Sequence, residues 1–207
     1  MAEKKRFTES EWAKIFAEFN TRGVDYGLPA SRVDSYVVAS WNLRQFGTIA
    51  KNDRSDRTRD IEAFRFIASV ITHFDLVAIQ EVKDDLASLR QLHKLLPEYD
   101  LVVSDTTGNE ERLAFLYRIG KIRRTALAAD VDIPMDEVQL TLRANWKAFR
   151  DALDEYGRNK TANPKYNERV RLPLPLGFDR APHCVSFAAG SLAAPVRFVA
   201  FNAHSYY

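Results

Sequence analysis

The run Asp75-Leu-Val-Ala-Ile-Gln-Glu81-Val82 constrains the fold more than any other stretch of the chain. Leu76, Val77, Ala78 and Ile79 follow one another without polar alternation, so the pattern predicts a short strand buried on both faces, as in a layered α/β sheet. The strand is expected to end at its first strongly polar pair, Gln80-Glu81. Open α/β sheets gather their ligands at the carboxyl ends of such strands. An ionised Glu81 at the lip of a core is costly unless a cation or a donor answers it. A hard divalent cation such as Mg²⁺ suits that place, because it needs only one or two protein carboxylates and takes water and substrate phosphate for the rest of its shell.

A second stretch has the same grammar. In Tyr36-Val-Val-Ala-Ser-Trp-Asn42-Leu-Arg44-Gln-Phe-Gly47 an apolar run from Tyr36 to Trp41 delivers Asn42 at its polar end, with Arg44 just beyond. Two adjacent parallel strands would set Asn42 and Glu81 side by side. Taken singly, a Glu after a strand is an ordinary salt-bridged rim residue and an Asn at a strand end is a turn former. Taken together and in order, the two motifs resemble the endonuclease/exonuclease/phosphatase superfamily, which has a strand ending in Asn and a strand ending in Gln-Glu. The forms Asn-Leu-Arg-Gln-Phe-Gly and Ile-Gln-Glu-Val are similar to those of its deoxyribonuclease I branch.

Composition narrows the class. At 207 residues with 46% hydrophobic content the chain can bury one sizeable core. A net charge of +2 is too small to imply a polyanion partner by itself. The single cysteine, Cys184, rules out a disulfide framework within the chain and lies in an apolar run, as an inert core residue does. The polar N-terminus, Met-Ala-Glu-Lys-Lys-Arg-Phe, leads into no apolar signal region, and no run is long enough to span a bilayer. A cytoplasmic location and no membrane partner are therefore expected, although the branch that the chain resembles is often secreted.

Along the chain, residues 1–33 read as an N-terminal packing helix and linker. Thr8-x-x-Glu11 is a capping box, Trp12, Ile15, Phe16 and Phe19 follow at helical spacing, and Gly23 closes the helix. Residues 34–207 read as the N-terminal portion of the resembled domain. The segment Arg44 to Arg59 reads as a polar loop with five basic and two acidic residues, able either to track a phosphate backbone or simply to face water. Ile61, Phe64, Ile67, Ala68 and Ile71 form the stripe of a crossover helix, Leu86 to Leu96 a second helix, and Tyr99 to Val103 a third strand. Met135 to Tyr156 turns helical again and opens a basic helical insertion at about 134–178. His183, inside the start of a strand, reads as structural.

The resemblance assigns further roles. Glu111, before Arg112 and an apolar strand, corresponds to the Glu that pairs with a catalytic His, and His204, at the end of Val196-Arg-Phe-Val-Ala-Phe-Asn202-Ala-His204, corresponds to that His. Arg180-Ala-Pro182 is similar to an Arg-x-Pro element whose Arg reaches the phosphate. Arg44 would bind phosphate as well. Glu81 and Asn42 would hold Mg²⁺, or Mn²⁺ or Ca²⁺ in its place. The implied fold is an α/β protein with mixed sheets and flanking helices, a four-layer α/β/β/α sandwich. The implied activity is metal-dependent phosphodiester hydrolysis, most directly a DNA endonuclease with little sequence preference. The Gly-Asp-x-Asn and Ser-Asp-His elements of such enzymes do not occur here. The sandwich is therefore expected to be incomplete, the isolated chain inactive or impaired, and its unfinished sheet open to self-association or to a completing chain. Two other readings stay open: a non-catalytic nucleic-acid-binding or assembly module, and a phosphatase or phospholipid phosphodiesterase of the same superfamily.

Overall fold

A computed structural model of the protein describes residues 7–30, 35–47, 60–106, 110–163 and 180–204. The run that opened the sequence argument forms β2 (Leu76–Lys83), which lies between β1 (Val38–Phe46) and β4 (Glu111–Arg118). β1 and β2 are parallel, joined through α2 (Ile61–Ile71), and β4 is antiparallel to β2. β3 (Tyr99–Val103), reached through α3 (Ala87–Lys94), completes a mixed four-stranded sheet in the order β1-β2-β4-β3. A second sheet follows, built from β5 (Ile122–Asp130), β6 (His183–Ala189) and β7 (Val196–Asn202), all antiparallel.

The lack of polar alternation in β2 has a direct cause. Val77, Ile79 and Val82 pack into a cluster with Phe64, Ile67 and Ile71 of α2 and with Leu89 and Leu92 of α3. Leu76, on the opposite face, joins Phe115 and Tyr117 of β4 against Val185 and Phe187 of the second sheet. Helices therefore cover one face of the first sheet and the second sheet covers the other, so a central strand has no side that could be polar. This is the mixed α/β architecture with two sheets and flanking helices that the sequence implies.

Both strands run further than the sequence suggests. β2 does not end at Gln80-Glu81, because Val82 re-enters the apolar layer with no exposed surface and its ladder resumes against Phe46 and Arg112. β1 likewise continues through Asn42 to Phe46, so Arg44 lies within a strand and not in a loop. The chain accommodates the interruption by left-handed backbone at Arg44 (φ 47°), Gln45 (φ 52°) and Glu81 (φ 59°). Residues 48–59, the remainder of the expected basic loop, lie outside the described residues.

The N-terminal segment forms α1 (Glu9–Arg22) with the expected reciprocal capping between Thr8 and Glu11. Its Trp12, Phe16 and Phe19 stack on Phe66, and Trp12 Nε1 donates to Asp60, the residue whose side chain caps α2. The expected continuous helix from Met135 is two, α4 (Met135–Ala144) and α5 (Trp146–Ala162), parted at Asn145. α5 also extends past Tyr156, where the helical pattern was expected to end, and the rest of the insertion, 164–178, lies outside the described residues. Among the described residues no helix is long and apolar enough to cross a membrane.

Two buried tyrosines hold the far end of the first sheet. Tyr99 Oη donates to the carbonyls of Phe74 (2.6 Å) and Ile71 (3.1 Å), tying β3 to the end of α2, and Tyr117 Oη donates to Asp100 (2.8 Å). Burial pushes both phenols up to about 12, helped at Tyr117 by the Asp100 carboxylate it donates to. Unfolded, each would ionise near 10. The folded state thus holds protons that the unfolded state loses, so this stabilisation is complete below pH ~10 and is lost as pH rises towards 12. Urea midpoints measured from pH 8 to 11.5 should fall over the upper part of that range, and Tyr99→Phe should flatten the fall while lowering the midpoint at pH 8.

Candidate active site

β1, β2, β4 and the chain just beyond β7 all bring polar residues to one rim of the two sheets. Asn42, opposite Gln80 in the parallel ladder, donates from Nδ2 to Glu81 Oε1 at 2.8 Å. The left-handed turn at Arg44 and Gln45 brings the Gln45 N–H to Glu81 Oε2 (2.8 Å), while Arg44 N donates to Asn42 Oδ1 (2.7 Å). Three non-glycine residues in left-handed backbone within one small region cost about 1–2 kcal/mol each, and such strain persists where the surroundings over-determine it.

What over-determines it is a buried polar bridge between the sheets. The ladder between β2 and β4 breaks between Ile79 and Val82. Into that gap Asn202, the last residue of β7, sends its side chain: Nδ2 donates to the carbonyls of Ile79 (2.9 Å) and Ala114 (3.0 Å), and Oδ1 accepts from Gln80 Nε2 (2.6 Å). Gln80 also donates to Ser40 Oγ on β1 (3.1 Å). Asn202 is 1% exposed, so these bonds are made away from water. Neither Asn202 nor Gln80 was singled out as a functional residue from sequence. The available signal was their adjacency to His204 and Glu81.

Two residues after Asn202, His204 enters the same cluster. Its Nε2 lies 3.5 Å from Glu81 Oε1 and 3.4 Å from Asn42 Nδ2. Its Nδ1 lies 3.7 Å from Glu111 Oε2, and Arg180 Nη1 contacts the same Nδ1 directly. Glu111 was expected to be the first partner of His204, but its tightest contact is instead with Arg180, Nη2 to Oε2 at 2.9 Å, and both side chains are 6% exposed. The geometry accounts for the difference. The guanidinium fork bridges the carboxylate and the ring, meeting Glu111 through Nη2 and the imidazole edge through Nη1, which also lies 3.2 Å from Nε2. Lys83 Nζ meets Glu111 Oε1 at 3.3 Å.

The charges sort themselves accordingly. Glu111 is answered by Lys83 and Arg180, whereas the direct hydrogen bonds to Glu81 come from a neutral carboxamide and a backbone N–H. Burial pushes the Glu81 carboxyl up, but the Asn42 and Gln45 donors, with the charges of His204 and Arg180, hold it below the ordinary value of 4.5. Glu81 is thus the rim carboxylate suited to a hard cation. Asn42 orients that carboxylate: its oxygen accepts from Arg44 N and its NH₂ donates to Glu81. Among the described residues no group of three His, Cys, Asp or Glu side chains could hold a metal ion. A cation here would rest on Glu81, with water and phosphate filling its shell. Arg44 joins the rim through its backbone and stands exposed. The rim thus combines a carboxylate fit for a cation, an imidazole and three cationic side chains, Arg180 buried, Lys83 half-buried and Arg44 exposed.

Neither a family model nor a curated protein matches the chain. Among solved structures it is similar to the endonuclease/exonuclease/phosphatase from Bacteroides vulgatus, at 16% identity and a TM-score of 0.44, over 81% of this chain and 51% of that one. It is also similar to an endonuclease/exonuclease/phosphatase family protein from Bacteroides thetaiotaomicron, at 18% identity and a TM-score of 0.35, over 66% of this chain and 40% of that one. The chain thus spans about half the length of the first of these structures and less of the second.

Two outcomes follow from the rim geometry. Asn42→Ala removes the side-chain donor to Glu81, so the Glu81 carboxyl should titrate at higher pH than in the parent protein when followed by ¹³C NMR, with the fold retained. Asn202→Ala leaves the Ile79 and Ala114 carbonyls without their buried donor, at about 1–3 kcal/mol for each group orphaned, and takes one acceptor from the Gln80 amide. Its urea midpoint should fall well below that of Asn42→Ala.

Proposed function

We propose that this rim is the reaction centre of a divalent-metal-dependent phosphodiester hydrolase of the endonuclease/exonuclease/phosphatase kind, acting on nucleic acid, with DNA as the first candidate and little preference for base sequence. The observation that carries the reading is the convergence of Asn42, Glu81, Glu111, Arg180 and His204, brought from β1, β2, β4 and the segments beside β6 and β7 to contact distances of one another. Contact with phosphate and not with base edges is what makes sequence preference weak.

A Mg²⁺ held at Glu81 would neutralise charge developing on the phosphate oxygens. Everything else is assigned to the chain itself. Asn42 and Gln45 N–H keep the Glu81 carboxylate ionised and pointed. Arg180 and Glu111 hold the His204 ring with Nε2 towards the Glu81 edge, and His204 in its protonated form gives the Nε2 proton to the departing oxygen and is left as the neutral imidazole. Glu111 keeps the Arg180 fork in place and offsets its charge. Arg180 therefore acts on phosphate through its charge and its hold on the imidazole, and the exposed Arg44 supplies a direct phosphate contact.

One observation favours a second reading, a non-catalytic nucleic-acid-binding module: among the described residues, Glu81 has no second acidic or imidazole partner set that could complete a metal site. Plasmid nicking separates the two. The chain at micromolar concentration should nick supercoiled DNA slowly in Mg²⁺, EDTA should stop it, and Glu81→Ala and His204→Ala should each lower the rate about 10²-fold or more. Nicking that survives either substitution sinks the catalytic reading. Salt-sensitive DNA binding with no nicking at any Mg²⁺ concentration leaves the binding module.

A further inference from the structure

Outside the reaction centre the molecule buries one more imidazole. His183, the first residue of β6, is 3% exposed, packed with its ring 6.0 Å from that of Phe115. Its Nδ1 meets Asp130 Oδ1 at 2.7 Å, across the rung where Asp130 and His183 pair. A carboxylate only accepts, so Nδ1 carries the proton and Nε2 the lone pair. Among the described residues that buried Nε2 has no hydrogen-bond partner. An apolar side chain would fill the same space without leaving a nitrogen unsatisfied, so burial alone gives no reason for a histidine. What the imidazole adds is a directed bond to Asp130.

That bond sits on a route between the two halves of the buried ion pair. The second Asp130 oxygen accepts from Asp105 N at 2.8 Å, from the segment that leaves β3. Ser104, the residue before Asp105, is bonded to Leu113 in both directions, its N–H to the Leu113 carbonyl (2.8 Å) and its Oγ to the Leu113 N–H (2.9 Å). Arg112 Nη1 reaches the Ser104 carbonyl (2.8 Å). The start of β4, which carries Glu111, is thereby fastened to Asp130. On the other side, the Pro182 carbonyl accepts from Val131 N (2.8 Å) and His183 grips Asp130, three residues after Arg180. The Arg180 turn and the Glu111 strand belong to different sheets, yet both are tied to one carboxylate.

We propose that His183 and Asp130 are positioning residues: their bond sets the place of the Arg180 turn relative to β4, and so holds the Arg180 fork on Glu111 and His204. Neither residue touches the reacting atoms. For its consequence in hydrolysis this rests on the reading of the rim given above, but the positioning itself is measurable in a protein with no activity at all.

The test follows the Arg180 Nε–H signal by ¹H–¹⁵N NMR, with Arg118, paired to Asp75 and Glu98 at the other end of β4, as an internal control. His183→Leu keeps the packing and removes the donor, while His183→Asn restores an N–H near the position of Nδ1. Hydrogen exchange at Arg180 Nε should be at least tenfold faster in His183→Leu than in the parent protein, within about twofold of it in His183→Asn, and unchanged at Arg118 in both. Equal exchange in the parent and His183→Leu would overturn the proposal. So would equally fast exchange in His183→Leu and His183→Asn, which would mark loss of packing and not of the bond. Should His183→Leu fail to fold, Asp130→Ala, which removes the acceptor, is read by the same measure, with fast exchange supporting the proposal and parent-like exchange overturning it. Failure of the nicking experiment with the exchange result intact removes the hydrolase reading alone.

Discussion

The break in the ladder between Ile79 and Val82, filled by the Asn202 side chain, is the constraint on which the rest of the rim depends. A central strand cannot change direction inside a core without leaving peptide groups unpaired, and unpaired buried groups are costly. Here the carbonyls of Ile79 and Ala114 find a carboxamide from the opposite sheet, and that carboxamide finds Gln80. With those groups satisfied, Glu81 can take a left-handed conformation, step out of the strand and turn its carboxylate towards Asn42. The same residue that fills the gap brings His204 to the rim two positions later, so sheet packing and the placement of the imidazole are one event.

Charge is distributed with similar economy. The deeply buried acid, Glu111, has Arg180 and Lys83 beside it, as a buried ion must have a counter-ion. The more accessible acid, Glu81, takes its direct hydrogen bonds from a neutral carboxamide and a backbone N–H, with His204 at 3.5 Å.

Much of the fold was legible because its causes are local. The unalternated run of β2 reports burial on both faces, the stripe of Phe64, Ile67 and Ile71 reports a helix on a sheet, and Thr8 with Glu11 reports a helix start; each has the element it implies. The boundaries were less legible. Val82 and Phe46 rejoin their ladder beyond the polar residues because the layer between sheet and helices buries them, which no pattern within the strand itself reveals. The division of one expected helix into α4 and α5 at Asn145, and the persistence of α5 past Gly157, likewise depend on surroundings.

The sequence by itself placed polar residues beside apolar runs: Asn42 and Glu81 within two strands, Glu111 at the start of a third, Arg180 before β6 and His204 after β7. It could do so because residue type and the neighbouring apolar pattern are local properties. Only the tertiary structure decided who partners whom. Arg180 lies between Glu111 and His204, Asn42 turns its NH₂ and not its oxygen to Glu81, and Asn202 bridges the sheets. Those choices turn on distances of a few ångströms between segments up to 162 residues apart in the chain, and such distances are set by the packing of one sheet on another.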